Sequence, residues 1–338
     1  MIIPVRLKDR SYPIVLERGA LLCAREWMDL DRKALVVTDE GVPKSYAEAI
    51  ANQCKAPLCF TVPQGEGSKS LDTLRLLLTA MLEHDFSRKD CVVAVGGGVV
   101  SDLSGFAASC YMRGIDFYTV PTTVLAAVDA SVGGKTAVNL CGVKNVVGAF
   151  RQPKAVLIDP DTFLTLPRRQ VANGLSEAVK MALTSDRDLF SRFETRDPFT
   201  DLDEIVARSV RIKRGVVEQD ETERNLRRVL NFGHTIGHGI ESAGKGRYHG
   251  ECVAIGMLPM CSEPVKNRLV PVLEKLGLPT RCDLDPAAVY AFLQHDKKAA
   301  QGSVSIVRVE EVGSFVLETV PVESLRARIE SVTGREEA

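Results

Sequence analysis

The sequence predicts an α/β fold: an N-terminal Rossmann-like parallel-sheet domain, followed by a mostly α-helical domain. Three observations predict it. Residues 34–38, 91–95, 117–120 and 155–158 are continuous, β-branched apolar runs, and the chain between the first two carries helical spacing over 70–84. Unbroken apolar runs of this length suit strands of a parallel sheet covered on both faces. From Arg168 to about Leu293 the pattern becomes helical, with almost no strand signal.

The expected helices of the second half span 170–185, 202–218, 231–243, 251–266 and 286–293. A β signal returns at 304–309 and 314–319 and reads as a hairpin. The boundary falls near Leu166-Pro167, giving domains 1–166 and 167–338. A chain of 338 residues, 45% hydrophobic, has the length for two domains and enough apolar content for sizeable cores. The formal charge is −1, which argues against nucleic acid or an anionic membrane as the main partner. No apolar run reaches the roughly 18 residues of a spanning helix, and the first residues lack a signal-peptide pattern. Nine cysteines without a Cys-x-x-Cys pair read as reduced thiols, which places the chain in the cytoplasm.

Three of the five histidines fall between residues 234 and 249. His234 and His238 are four apart and share a helix face, a spacing that suits a divalent metal, with His249 available from the next helix. Glu177 and Lys180 are helical neighbours among apolar residues. An exposed ion pair is the commoner meaning of that spacing, but a buried carboxylate wants a cation, so Glu177 is a candidate acidic ligand.

In the first half, the run from Cys91 through Gly96-Gly97-Gly98 to Asp102 reads as strand, glycine turn and helix, suited to a pyrophosphate. It is not a strict dinucleotide fingerprint, because Ser101 occupies the third glycine position. The glycine loop Gln64–Lys69 and Thr122-Thr123 follow strands and support a nucleotide site. Gly134-Lys135-Thr136 is not a triphosphate loop, since Asp129 stands where the first glycine is required. Lys135, Lys144 and Asn145 remain candidates for binding anionic oxygens. Arg227 and Asn231 fall at helical spacing on the approach to His234.

In this order, over some 290 residues, the motifs resemble those of the 3-dehydroquinate synthases, members of the sugar phosphate cyclase superfamily. The resemblance runs from Arg10-Ser11-Tyr12-Pro13-Ile14 through Gly96-Gly97-Gly98, Tyr111-Met112-Arg113-Gly114, Pro121-Thr122-Thr123 and the segment from Val128 to Thr136. It continues with Lys144-Asn145, Glu177 and Lys180, the segment from Asn231 to His238, His249-Gly250-Glu251 and Asp296-Lys297-Lys298.

The resemblance implies conversion of 3-deoxy-D-arabino-heptulosonate 7-phosphate to 3-dehydroquinate and phosphate in aromatic biosynthesis. The steps are a transient NAD-dependent oxidation, phosphate elimination, reduction and intramolecular aldol closure. The implied NAD contacts are Asp39, Gln64, Gly65, Glu66, Gly67, Ser68, Lys69, Gly98, Val99, Val100, Ser101, Asp102, Thr122, Thr123, Lys135, Lys144, Thr162, Phe163, Leu164 and Thr165. The implied zinc or cobalt ligands are Glu177, His234 and His249, which assigns His238 to the substrate instead. Lys180, His238, Asp129 and Lys135 take catalytic roles, and Arg113, Asn145, Lys213, Arg227, Asn231, Lys297 and Lys298 bind substrate. A homodimer follows, because the family's counterpart of Arg113 reaches across a dimer interface. Two departures stand out: Leu140 replaces a usual histidine, and Asn225 a common glycine. Competing readings are another sugar phosphate cyclase, a metal-dependent alcohol or glycerol dehydrogenase, and a non-catalytic nucleotide-binding protein.

Overall fold

The computed structural model describes residues 1–244, 246–295 and 302–334. The chain forms two compact units: residues 1–167 with 213–218, and residues 168–212 with 219–338.

The strands of the first unit are β1 (Ile2–Val5), β2 (Tyr12–Leu16), β3 (Lys33–Asp39), β4 (Ala56–Val62), β5 (Cys91–Gly96), β6 (Asp116–Pro121), β7 (Lys135–Leu140), β8 (Val143–Phe150) and β9 (Ala155–Ile158). Seven of them form one sheet in the order β1-β2-β9-β6-β5-β3-β4. All its neighbours pair in parallel except β1 with β2. The four expected strands are β3, β5, β6 and β9.

Their continuous apolar character has a direct cause. Along β3 and β5, Ala34, Val36, Cys91, Val93 and Val95 face one core, against Ala47 and Ile50 of α1 (Lys44–Ala51). Leu35, Val37, Val92 and Ala94 face the other, against α2 (Leu71–Glu83) and α3 (Gly98–Cys110). Alternate side chains enter opposite cores, so both faces select mainly apolar residues. Each fully buried Val, Leu or Ile contributes about 1.5–3 kcal/mol.

The strands that periodicity missed are peripheral. The pair β1 and β2 carries Pro4 opposite Pro13, and the edge strand β4 contains Pro57 and is largely exposed. Proline and solvent exposure at a sheet edge erase the apolar run that marks a central strand. The remaining strands, β7 and β8, form a separate antiparallel hairpin. Its turn residues Cys141 and Gly142 both have positive φ, +51° and +79°, as primed hairpin turns require. The Leu140 departure sits at the last position of β7, just past a register shift between Val138 and Leu140.

The second unit contains α4 (Arg168–Ser185), α5 (Arg187–Thr195), most of α6 (Leu202–Gln219), α7 (His234–Ala243), α8 (His249–Met257), α9 (Glu263–Leu276), α10 (Pro286–His295) and α11 (Arg326–Glu330). The hairpin of β10 (Ser303–Arg308) and β11 (Val316–Pro321) is antiparallel, as expected. Helix α4 is buried continuously from Val171 to Thr184.

Two helix expectations need correction. The expected helix 231–243 begins only at His234: Leu226–Asn231 is a 3-10 turn, and Gly233 takes φ +76° ahead of α7. Helical spacing therefore does not carry Arg227 and Asn231 toward His234. The expected helix 251–266 is two helices, since Pro259 lies in a 3-10 turn and Cys261 is extended before α9 restarts. Proline lacks the N–H that a continuing helix needs.

Candidate active site

In the first unit, the residues expected to hold NAD gather at one edge of the sheet. Asp39 ends β3, Gln64–Lys69 follows β4, the glycine turn follows β5, Thr122-Thr123 follows β6, and Thr162–Thr165 follows β9. These strands are parallel, so all five segments lie at their carboxyl ends. The strand order reverses between β3 and β5, the switch point where ligands bind such sheets.

The segments are cross-linked. The Thr122 N–H donates to the Gly96 carbonyl at 3.0 Å, and the Tyr46 and Thr165 hydroxyls lie 3.1 Å apart. Lys69 Nζ meets Asp102 Oδ2 at 2.5 Å. Burial pushes the Asp102 carboxyl up, against the opposing pull of Lys69. A Cβ on Gly97 or Gly98 would meet protein atoms only at ordinary contact distance, 3.4 Å from Thr123 or Ala130. Packing thus does not require glycine there. The structure also bears out the rejection of a triphosphate loop, because Gly133-Gly134 turns into strand β7 rather than a helix.

The hairpin carrying Lys135, Lys144 and Asn145 is tied to the Gln64–Lys69 loop. The Asn139 N–H donates to the Lys69 carbonyl at 2.8 Å, its amide group to Glu66 Oε1 at 2.8 Å, and the Asn145 N–H to Asn139 Oδ1 at 2.9 Å. Asp129 lies in a π-helical turn, 126–130, a rare conformation often found at functional sites. Lys213 is 4% exposed and donates to Asp129 Oδ1 at 2.7 Å and to its carbonyl at 2.5 Å. Arg113 is exposed with φ +70°, between Met112 at +50° and Gly114 at +116°. Two consecutive non-glycine residues in the left-handed region store strain, which favours a functional reading of this loop.

In the second unit, helix packing assembles the metal candidates. Asn173, Ser176, Glu177 and Lys180 form one stripe on α4. Asn173 Oδ1 accepts the Gly250 N–H at 2.6 Å, and the Ser176 hydroxyl donates to the Gly250 carbonyl at 2.7 Å. A Cβ at Gly250 would lie 2.1 Å from the Asn173 carbonyl, so only glycine lets α8 approach this closely. These contacts bring His249, the first residue of α8, to Glu177. His234 is likewise the first residue of α7, released by the left-handed Gly233.

Glu177 is fully buried. Its Oε2 accepts from Lys180, while Oε1 lies 3.6 Å from both His234 Nε2 and His249 Nε2. Oε1 is a buried oxygen without a hydrogen-bond partner. The far ring nitrogens are engaged, His234 Nδ1 by the Phe232 carbonyl at 3.0 Å and His249 Nδ1 by Glu241 Oε2 at 3.1 Å. That leaves both Nε2 atoms directed at the same oxygen.

Burial pushes the Glu177 carboxyl up, but Lys180 and the two imidazoles outweigh it and hold it well below the usual carboxylate range. Burial and nearby cations push His234 well below its ordinary value, against the opposing Glu177. For His249, burial is outweighed by Glu177 and Glu241, and its pKa rises to about 9.

His238 completes a trio of imidazoles with His234 and His249, whose ligand atoms lie within 4.8 Å of one another. Two three-donor sets therefore share His234 and His249, with Glu177 or His238 as the third. The Glu177 set adds to the two imidazoles a buried carboxylate oxygen without a hydrogen-bond partner, a donor that favours a cation.

The remaining expected residues sit in the turn before α7. Arg227 is 2% exposed, with its N–H on Asp220 Oδ2 at 3.0 Å, and the Asn231 amide donates to Glu223 Oε1 at 2.7 Å. Lys297 and Lys298 lie outside the described residues. Sequence reasoning did not single out Glu241, although it stands three residues after His238 and seven after His234, on their helix face.

The family models for the N-terminal and C-terminal domains of 3-dehydroquinate synthase match residues 59–173 and 174–299. The 3-dehydroquinate synthase of Enterococcus faecalis (strain ATCC 47077 / OG1RF) is 41% identical, covering 97% of this chain and 98% of its own. Among solved structures, a 2-deoxy-scyllo-inosose synthase complexed with carbaglucose-6-phosphate, NAD+ and Co2+ superposes with a TM-score of 0.90 at 27% identity, covering 98% of this chain and 100% of its own. The 2-epi-5-epi-valiolone synthase of Streptomyces hygroscopicus subsp. jinggangensis 5008, with NAD+ and Zn2+ bound, gives 0.87 at 28% identity, covering 97% and 98%. With both halves matched in order and a relative above 40% identity along nearly the whole length, the chain belongs to the 3-dehydroquinate synthase family.

Proposed function

We propose that this chain converts 3-deoxy-D-arabino-heptulosonate 7-phosphate to 3-dehydroquinate and inorganic phosphate, as a phosphate-eliminating carbon–oxygen lyase dependent on NAD and on a divalent zinc or cobalt ion. The observation that carries the reading is Glu177 Oε1, buried, without a hydrogen-bond partner and facing two imidazole nitrogens at 3.6 Å. Glu177, His234 and His249 would hold the ion, and the carboxyl-end segments of the sheet would hold NAD. When bound, these groups supply Lewis-acid polarisation of a substrate hydroxyl and a hydride acceptor that is restored in each turnover.

The chain's own residues do the rest. Lys180 fixes the second oxygen of Glu177 and keeps the carboxylate ionised. Lys213 and Arg227 suit the substrate carboxylate, with Asp129 orienting the Lys213 ammonium. Arg113, Lys135, Asn145, Asn231, His238 and the pair Lys297-Lys298 suit the phosphate. Anchoring both ends of the substrate fixes one reacting conformer, so the departing phosphate can take up a neighbouring proton itself. Ring opening and aldol closure then proceed within a molecule that has not been released.

We further propose a homodimer, supported by the exposed, strained Arg113 loop, and a cytoplasmic location, supported by nine cysteines that are all free thiols. Among the described residues no helix is long and apolar enough to cross a membrane.

The deciding experiment supplies the heptulosonate phosphate, NAD and zinc or cobalt. Phosphate and dehydroquinate should appear in equal amounts without accumulating NADH. Net NADH formation from an alcohol, with no phosphate released, would replace this reading with a dehydrogenase. Turnover only of a sugar phosphate lacking the carboxylate would replace it with another cyclase.

A further inference from the structure

We infer that Glu241 is a positioning residue for the metal centre: its carboxylate holds the His249 ring so that Nε2, rather than Nδ1, is presented to the cation. The inference rests on the metal reading above and concerns a residue outside the proposed ligand set. His249 Nδ1 lies 3.1 Å from Glu241 Oε2, and Nε2 lies 3.6 Å from Glu177 Oε1. Opposite edges of one ring therefore face two carboxylates. A neutral imidazole has one N–H and one lone pair. When a cation takes the place of the Nε2 proton, the ring keeps its one N–H on Nδ1, where Glu241 accepts it, and the Nε2 lone pair and the orphaned Glu177 oxygen can meet the same ion.

The two histidines are backed differently. His234 Nδ1 meets a neutral backbone carbonyl, that of Phe232, at 3.0 Å. His249 meets a carboxylate, which both orients the ring and strengthens it as a donor. Helix α7 thus carries one ligand, His234, and the support for the ligand on α8. Glu241 is largely buried, its side chain 16% exposed, so the contact is not a solvated surface pair.

The test titrates cobalt(II) into the metal-depleted full-length protein and follows the d–d absorption of the bound ion. Glu241→Ala should weaken cobalt binding by about 10–100-fold, the usual effect of losing such a partner. Glu241→Gln, whose amide oxygen still accepts the Nδ1 proton, should recover most of the affinity while shifting the d–d bands. NAD affinity and the unfolding midpoint of the metal-free protein should match the wild type in both variants. Unchanged cobalt affinity in Glu241→Ala overturns the inference. So does an equal loss in both variants that tracks a drop in metal-free stability, since that describes a helix-packing contact. Failure of the wild-type protein to take up cobalt overturns the metal reading together with this inference, whereas the other two outcomes leave that reading standing.

Discussion

The two units assemble their sites by opposite means. In the first, loops at the carboxyl ends of parallel strands converge because the sheet brings them together, and Gly97 and Gly98 have no closer neighbour than ordinary contact distance. In the second, the site joins buried Glu177 and Lys180 on α4 to part-exposed imidazoles on α7 and α8, fixed by close helix packing. A site made of strand-end loops tolerates substitution in stability and loses only ligand. A site inside packed helices loses structure and ligand together.

The largest expected effect tests the identity of the third metal donor. Glu177→Ala should lower zinc or cobalt affinity by well over roughly 100-fold, beyond what an outer partner contributes, and abolish turnover. His238→Ala should keep the metal, measured by elemental analysis of the purified protein, while turnover collapses. Loss of metal in His238→Ala with retention in Glu177→Ala would install the three-imidazole set instead.

A pair of glycine substitutions probes the contrast between units directly. Gly250→Ala forces a Cβ to within 2.1 Å of the Asn173 carbonyl, and should destabilise the protein by about 1–3 kcal/mol or more in denaturant unfolding. Gly98→Ala should leave stability nearly unchanged yet weaken NAD binding roughly tenfold, about the 1.4 kcal/mol of one lost backbone contact. If Gly98→Ala proves the less stable of the two, the contrast fails.

Lys213→Ala should raise the KM for the heptulosonate phosphate by about 10–100-fold, the loss of a charged hydrogen bond, with NAD affinity unaltered. An equal loss for both ligands in calorimetric titration would assign Lys213 to general structure.

The smallest effect concerns the turn before α7. Burial pushes the Asp220 carboxyl up, but the N–H groups of Arg224, Asn225 and Arg227 outweigh it and leave it below its ordinary value. Its contribution is therefore complete above the unfolded-chain pKa near 4 and fades as pH falls through the lower folded value. The protection factors of the Arg224 and Asn225 amides against hydrogen exchange should fall on acidification in the wild type. In Asp220→Asn that acid dependence should largely vanish.

Much of this was legible in the chain. The four central strands announced themselves because both faces of the sheet are covered, so the residues along them are mostly apolar. The glycine turn and the strand-end loops lie on backbone whose conformation local sequence dictates. Helix ends were harder to place: the start of α7 depends on Gly233, and the gap between α8 and α9 on Pro259 and an extended Cys261. Strands β1 and β2 escaped because Pro4 and Pro13 interrupt their short apolar runs, and β4 because edge position, Pro57 and exposure mask its periodicity.

Residue spacing alone paired His234 with His238, since four residues on a helix are neighbours wherever the helix lies. Whether that face meets Glu177, and which ring nitrogen it presents, depends on α4, more than fifty residues earlier in the chain. Composition, the strand pattern and the ordered motifs determined the fold class and family. The approach of α8 onto Asn173, the orphaned oxygen of Glu177 and the carboxylate behind His249 were decided only when the helices packed. These contacts join residues distant in sequence, and burial, which sets their charge, has no meaning along an unfolded chain.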